Sequence, residues 1–392
     1  MTPKSTSLAS TLLGAAFLMA TSAIGPGFLT QTTLFTVKLQ ASFGFVILLS
    51  ILLDIGVQLN IWRIVIACGQ KAPDLANALF PGLGHLLSIM IGLGGLVFNI
   101  GNIAGAGLGL NVLLGIPVEV GAVISALIAI VLFVRKDALL AMDSFSKWLG
   151  VLMIALTFYV VFTAHPPLGL AFQKTINPDI LDTTAIITLV GGTVGGYITF
   201  AGAHRLLDAG LKGSEALPET DRGAVTGIGI ASLMRILLFL AALGVVMQGL
   251  SIDPSNPPAS MFQQAAGTLG YKLFGLVMWC AAITSVTGSA YTSVSFIRTL
   301  HPSFTHRTTA LTLGFIILSS VIFLIAGNPV TLLVVAGAVN GMILPLSLLI
   351  MLVVVHKPAL AGSYKHPILL TLIGVVVMLI MGWMAVRTLL MI

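Results

Sequence analysis

Charge is what this chain has least of. Only 8% of its 392 residues are Asp, Glu, Lys or Arg, against 57% hydrophobic. That balance leaves a soluble globular domain of this size without a polar surface, and it places the chain among polytopic membrane proteins. Cysteine is nearly as scarce. Cys68 and Cys280 lie in or at the ends of apolar stretches and offer neither a disulfide framework nor a CxxC metal pattern. Also missing are a Walker A loop, an HExxH helix, a serine nucleophile elbow and any Asp, His or Cys cluster at metal-ligand spacing. An ATP-driven or enzymatic reading therefore has no residues to stand on. No soluble domain interrupts the chain and no low-complexity tail follows it. The expected partners are the lipid bilayer and a small-molecule solute, with no nucleic acid; nothing speaks to oligomeric state.

What is there is a series of apolar runs, each about as long as the ~20 residues that cross a bilayer as a helix. Hydropathy places them at Ala9–Val37, Phe43–Ile66, Leu86–Leu114, Val118–Val134 and Phe145–Ala164. A second group follows at Ala185–Leu211, Gly223–Leu250, Phe274–Phe296, Thr309–Ala326 and Thr331–Val355, with a last run at Ile368–Leu390. The expectation is an all-α polytopic protein of eleven spans arranged as five, five and one. Its units are 1–180, 181–357 and 358–392. The Ser-rich start followed by an apolar run is not read as a signal peptide, because cleavage would cut the first span in the middle.

The net charge of +6 is explained by where the cations fall. With the N-terminus inside, Lys4, Arg63, Lys71, Arg135, Lys136, Lys147, Arg205, Lys212, Arg222, Arg298, Arg307, Lys357 and Lys365 are cytoplasmic. Only Lys38, Lys174, Lys272 and Arg387 fall outside. This positive-inside bias predicts a cell-membrane protein with a cytoplasmic N-terminus, an external C-terminus and an odd number of spans.

Two spans are interrupted. Gly191–Thr199 reads GGTVGGYIT, and glycine weakens a helix by about 1 kcal/mol per residue relative to alanine. Ala23–Gly27, AIGPG, interrupts the first span. Backbone groups freed inside a membrane need partners in protein, water or solute, so matched broken helices point to a central transport site in an inverted repeat. The competing reading is that these glycines only let helices pack closely. Around the breaks, Ala23, Gly25, Pro26, Gly27, Thr30, Gln31, Gly192, Thr193, Gly195, Gly196 and Tyr197 are the candidate solute-binding positions. Asn99 and Asn102 in the third span, three residues apart on one face, join them; their amides serve equally as glue between helices.

Arg235 lies midway along the seventh span and Asp54 within the second. A mid-membrane Arg normally faces a partner or a wet cavity. It is either the counter-ion for an anionic solute or half of a structural ion pair with Asp54. Asp54 is also the candidate protonation site, and Gln58 and Asn60 extend its polar face. Thr284 and Ser285 in the eighth span carry hydroxyl oxygens suited to Na⁺, although they serve equally to cap backbone carbonyls of their own helix. Asn340 joins them as an ion-coupling candidate and with Pro345 marks a hinge in the tenth. His204, Arg205 and Asp208, beyond the second break, are candidates for an inner gate, with snorkelling to the membrane interface the competing and favoured reading.

Three stretches carry a family resemblance: IGPGF followed by ASFGF, LVGGTVGGYITF, and NIGNIAGAGLGLNVLLG. On these the chain resembles the natural-resistance-associated macrophage protein (NRAMP) family of metal transporters, within the amino acid–polyamine–organocation superfamily. The resemblance implies the leucine-transporter fold, two inverted five-helix repeats, and secondary transport. The family's Asp-Pro-Gly-Asn metal motif has no counterpart here. The family's sixth-helix Met falls on Gly195 and its His on Tyr197, while its third-helix acids fall on Asn99 and Asn102. The resemblance therefore implies fold and transport, with no metal ligands. The branch most resembled is associated with 5-oxoproline-degrading enzymes, so 5-oxoproline is the specific substrate it suggests. The expectation is a secondary transporter for a small organic anion or amino acid derivative, coupled to Na⁺ or H⁺ and without other cofactors. The alternatives are a divalent cation (Mn²⁺ or Mg²⁺) transporter with an atypical site, and a non-transporting sensor or scaffold.

Overall fold

The computed structural model describes residues 24–390, and of 136–147 the backbone alone. The described chain is helical with short connections. In order, α1 covers Pro26–Leu39, α2 Phe43–Cys68, α3 Ala72–Leu79, α4 Leu83–Leu114, α5 Val118–Val134, α6 Lys136–Ala164, α7 Leu168–Ile176 and α8 Thr183–Val194. They continue with α9 Gly196–Asp208, α10 Leu217–Met247, α11 Pro257–Ile297, α12 Pro302–Thr305, α13 Thr308–Ala326, α14 Pro329–Val355, α15 Pro358–Ala361 and α16 Ile368–Leu389.

Eight helical stretches are long and apolar enough to cross a membrane, or nine when the bent pair Trp148–Ala164 and Leu168–Ile176 counts as one span. The count of eleven is thus not established by this test. Val118–Val134 is only 17 residues long, and Pro26–Cys68 passes as one stretch, although the sequence divides it into two spans. The upstream half of the first span, Ala23 included, lies outside the described residues.

Element ends follow local chemistry. Asp182 accepts from the Ala185 N–H at 2.9 Å and caps α8, one of the orphan donors at a helix start thereby being satisfied. Gly69 and Gly115 end α2 and α4 in the left-handed region at φ 65° and 73°, where only glycine is unstrained. Between α6 and α7 the chain turns by 107°, because His165 at φ 42° is followed by two prolines that cannot continue the helix.

Burial sorts the helices into centre and periphery. Of the apolar window in Thr183–Asp208, 94% is buried inside the protein, against 28% for Ile368–Leu389. The interrupted sixth span is therefore the axis of the bundle, and the last span faces lipid. Small residues bring the inner helices together, as expected where lipid and protein are equally apolar. A methyl group at Gly109 of α4 would lie 2.8 Å from the Trp279 backbone of α11. One at Gly191 of α8 would lie 2.7 Å from the Gly341 Cα of α14.

Candidate functional site

The sixth span breaks at one residue. Gly195 takes φ −52° and ψ 163°, ending α8 and starting α9 at Gly196. The other glycines of the motif have a different use. Gly191 abuts α14, Gly192 abuts Gln31, and Gly196 abuts Ile343. The two readings of the motif, break and close packing, hold at different positions within it. On the first span, α1 begins at Pro26 directly after extended Gly25, so the helix starts where the AIGPG stretch predicts an interruption. Proline suits this position, since its missing N–H is one of the orphans of a helix start.

The break has a protein partner that sequence reasoning assigned elsewhere. The Tyr197 N–H donates to Asn340 Oδ1 at 3.4 Å, while Asn340 Nδ2 donates to the carbonyls of Gly94 at 2.9 Å and Ala336 at 3.0 Å. Asn340 thus ties spans three and ten to the opened backbone of span six. The signal for it was the break itself, which requires a polar partner nearby. Tyr197 packs against Phe98, ring centroids 5.2 Å apart.

Gln31 is wedged between α1, α8 and α14. Its Nε2 donates to the Leu333 carbonyl at 2.7 Å, and its Oε1 faces Gly192 with no hydrogen-bond partner among the described residues. A methyl group at Gly27 would touch the same amide at 3.5 Å. The hydroxyls of Thr30, Thr32 and Thr188 and the Asn102 Nδ2 are likewise buried without a partner. Asn99 is engaged instead: it accepts from Ser289 at 2.7 Å and donates to Ser319 at 3.0 Å, linking α4, α11 and α13. The two asparagines paired by spacing therefore do different work. Thr284 donates to the carbonyls of Cys280 and Ala281 on its own helix, and Ser285 is buried beside it.

Arg235 joins the interrupted sixth span to the start of α1. It is 2% exposed, and its guanidinium donates to Thr193 of α8 and to Ser50 of α2 at 3.1 Å. Its Cζ lies 4.7 Å above the Phe28 ring of α1, a cation–π arrangement. Asp54, 1% exposed, holds Oδ2 at 3.8 Å from Arg235 Nη1. Neither ion is saturated: Arg235 Nε and Asp54 Oδ1 have no hydrogen-bond partner among the described residues. Ser50, Thr193 and Phe28 complete a setting that sequence proximity could not show.

Toward the basic end of the bundle, polar groups fasten helix ends. His204 Nε2 accepts from the Ala72 N–H at 3.0 Å and its ring stacks on Phe296 at 4.7 Å. Asp208 pairs with Lys71 at 3.1 Å, whereas Arg205 is exposed. The Trp62 indole donates to the Thr199 carbonyl at 2.9 Å, and Arg63 pairs with Asp221. Gln58 donates to the Ala224 carbonyl at 3.3 Å, and Asn60 bonds the Leu370 carbonyl and His366, so this polar face makes interhelical bonds. Burial, with Arg63 and His356 nearby, lowers the His366 pKa to about 4.

These interrupted, tightly packed spans have close counterparts. The family described as natural resistance-associated macrophage protein-like (Nramp) matches residues 16–391. The chain belongs to the Nramp family. An uncharacterized membrane protein of Bacillus subtilis is 56% identical over 380 residues, covering 97% of this chain and 94% of its own. A manganese transporter of Eremococcus coleocola superposes with a TM-score of 0.72 at 16% identity, over 98% of this chain and 88% of its own. MhsT in complex with L-phenylalanine gives 0.68 at 16% identity, over 96% and 98%. At such identity the solved structures speak for the fold alone, which is the leucine-transporter type. The chain is accordingly a multi-pass membrane protein of a transporter family, not an enzyme.

The Nramp resemblance sharpens one position. Gly195, where the family pattern has Met, has no room for a thioether, since even a methyl group would lie 2.6 Å from Asn340 Cβ. Among the described residues no group of three His, Cys, Asp or Glu could hold a metal ion.

Proposed function

We propose that this Nramp-family chain is a secondary active transporter of a small organic anion or amino acid derivative, with 5-oxoproline as the specific candidate. One observation carries the reading. Arg235 is buried, reaches the interrupted sixth span through Thr193 and the start of α1 through Phe28, and keeps an Nε–H unpartnered among the described residues. A buried donor of fixed positive charge beside two opened helices suits a carboxylate, which guanidinium binds through paired hydrogen bonds. The unpartnered Gln31 Oε1 and Asn102 Nδ2 supply the acceptor and donor that a lactam N–H and C=O require. The solute lies near the bilayer midplane between the two repeats, 1–180 and 181–357, the N-terminus being cytoplasmic. Transport is driven by Na⁺ or H⁺ and proceeds by rocking of the broken helices against a scaffold.

Membership of a family whose relatives include divalent metal cation transporters favours a second reading, divalent-cation transport. It requires hard anionic oxygens at the site, and the stretch from Gly27 to Ser42 holds no acid. Uptake of radiolabelled 5-oxoproline into proteoliposomes tests the proposal. Wild type should accumulate it, and Arg235→Met should not, while still inserting and eluting as a folded protein. Accumulation by R235M at wild-type affinity refutes the role of Arg235; accumulation of Mn²⁺ without any organic anion refutes the proposal itself.

A further inference from the structure

We propose that Arg235 is exchanged between Asp54 and the transported anion, so that each anion enters together with one proton on Asp54. This rests on the anion reading above and adds the coupling ion, its seat and its stoichiometry.

The geometry is that of a loosely held pair. Asp54 and Arg235 face each other at 3.8 Å across α2 and α10, longer than a good charge-assisted hydrogen bond, and each keeps an unpartnered atom. Arg235 is also held through its Nη2 by Thr193 and over the Phe28 ring, and the Nη1 that faces Asp54 donates to Ser50 of the same helix as Asp54 at 3.1 Å. It can therefore turn its free N–H to an incoming carboxylate without losing its seat. Among the described residues Asp54 has no such second support, and Arg235 is the one cation within 4 Å of it. Of the other charged and titratable groups on the helices packed around α2, Arg205, Arg222 and Arg387 are exposed. Arg63 pairs with Asp221 and Lys38 with Asp182, Tyr197 packs on Phe98, and His204 stacks on Phe296. On α16, Val377 and Ile373 present only methyl groups beside Gly56.

A carboxylate left alone in such an interior is neutralised, because its desolvation is not otherwise compensated. When the anion takes Arg235, Asp54 therefore takes a proton from the water on the side from which the anion came. The anion, the guanidinium and the neutral acid together carry the same net charge as the empty ion pair. Loaded and empty carriers are then alike in charge, and neither has to move an excess charge through the membrane interior. On the far side the anion leaves, Arg235 returns to Asp54, and the proton passes to water. No net charge is carried, and the flux is one anion with one proton.

Two readings on purified protein in weakly buffered detergent solution test this. Wild type titrated with 5-oxoproline should take up one proton for each molecule bound, followed with a pH indicator. Its Kd should rise with pH, by about tenfold per unit where coupling is complete. Asp54→Asn should bind the anion with a Kd indifferent to pH and with no proton uptake. Binding by wild type with a flat pH profile and no proton uptake overturns the exchange while leaving the anion reading in place. The same proton count from D54N overturns Asp54 as the seat. Should D54N fail to fold, the wild-type proton count and pH profile decide alone. Failure of wild type to bind 5-oxoproline or any small carboxylate overturns both readings.

Discussion

Removing the two buried ions one at a time and together tests whether Asp54 and Arg235 form a pair at all. At 3.8 Å their attraction is about 4 kcal/mol at an effective dielectric of ~20, and most of it is offset by the cost of holding both out of water. The net worth of the pair is thus small, but an ion stranded by loss of its partner is costly. Arg235→Met leaves Asp54 with no cation and should lower stability by about 3–5 kcal/mol. Asp54→Asn should cost less, about 1–3 kcal/mol, because Arg235 keeps Thr193, Ser50 and the Phe28 ring. The double variant should cost less than the two added together, with a coupling of about 2 kcal/mol. Reversible unfolding of the four proteins in the same bicelles measures the cycle. Additivity to within about 0.5 kcal/mol would refute the pairing.

Other substitutions read the packing around the break. Asn340→Ala removes three hydrogen bonds at the Gly195 opening and should cost about 1–3 kcal/mol in the same unfolding measurement; Asn340→Asp, which keeps only the acceptor toward Tyr197, should be intermediate. Gly191→Val presses a side chain into the α14 backbone and should cost at least about 1–3 kcal/mol, whereas Gly229→Ala, with open space around it, should be neutral in melting temperature. His366 gives a pH dependence of known sign. Unfolded, it gains its proton near pH 6.5; folded, burial and Arg63 hold it neutral down to about 4. The unfolded chain binds more protons in that window, so the melting temperature should fall as pH drops from 6.5 toward 4, and His366→Gln should flatten the slope.

Most of the frame was legible because hydropathy reports membrane burial directly. Within the described residues the spans set from the apolar runs fall on the observed helices, and the glycine-rich stretch lies on the most deeply buried one. What a one-dimensional pattern could not divide was the labour among neighbouring glycines. Gly195 opens the helix, while Gly191, Gly192 and Gly196 admit α14 and Gln31, a distinction made by what faces each residue in space. The same holds for the amides. Asn99 and Asn102 share a helical spacing, yet one meets Ser289 and Ser319 while the other keeps an Nδ2 with no hydrogen-bond partner among the described residues. The partnership of Arg235 with Asp54 could be offered only as one option, since 181 positions separate them in sequence. The short helices α3 and α7 went unseen because they are amphipathic pieces too short to leave a hydropathy signal. The chain's glycine at the family's methionine position was visible from the start; that it is walled in by Asn340 was not.

The central claim is that the Arg235 site takes a small organic anion. Its most direct test is thermal stabilisation of the detergent-purified wild type against Mn²⁺, Mg²⁺, 5-oxoproline, common amino acids and small carboxylates, each with and without Na⁺. A ligand of the folded state stabilises by mass action, by about 2.7 kcal/mol at a hundredfold over its Kd. The account predicts a rise in melting temperature with 5-oxoproline or a related carboxylate, present without Na⁺ and lost in R235M. A rise with Mn²⁺ or Mg²⁺ and with no organic anion would contradict it.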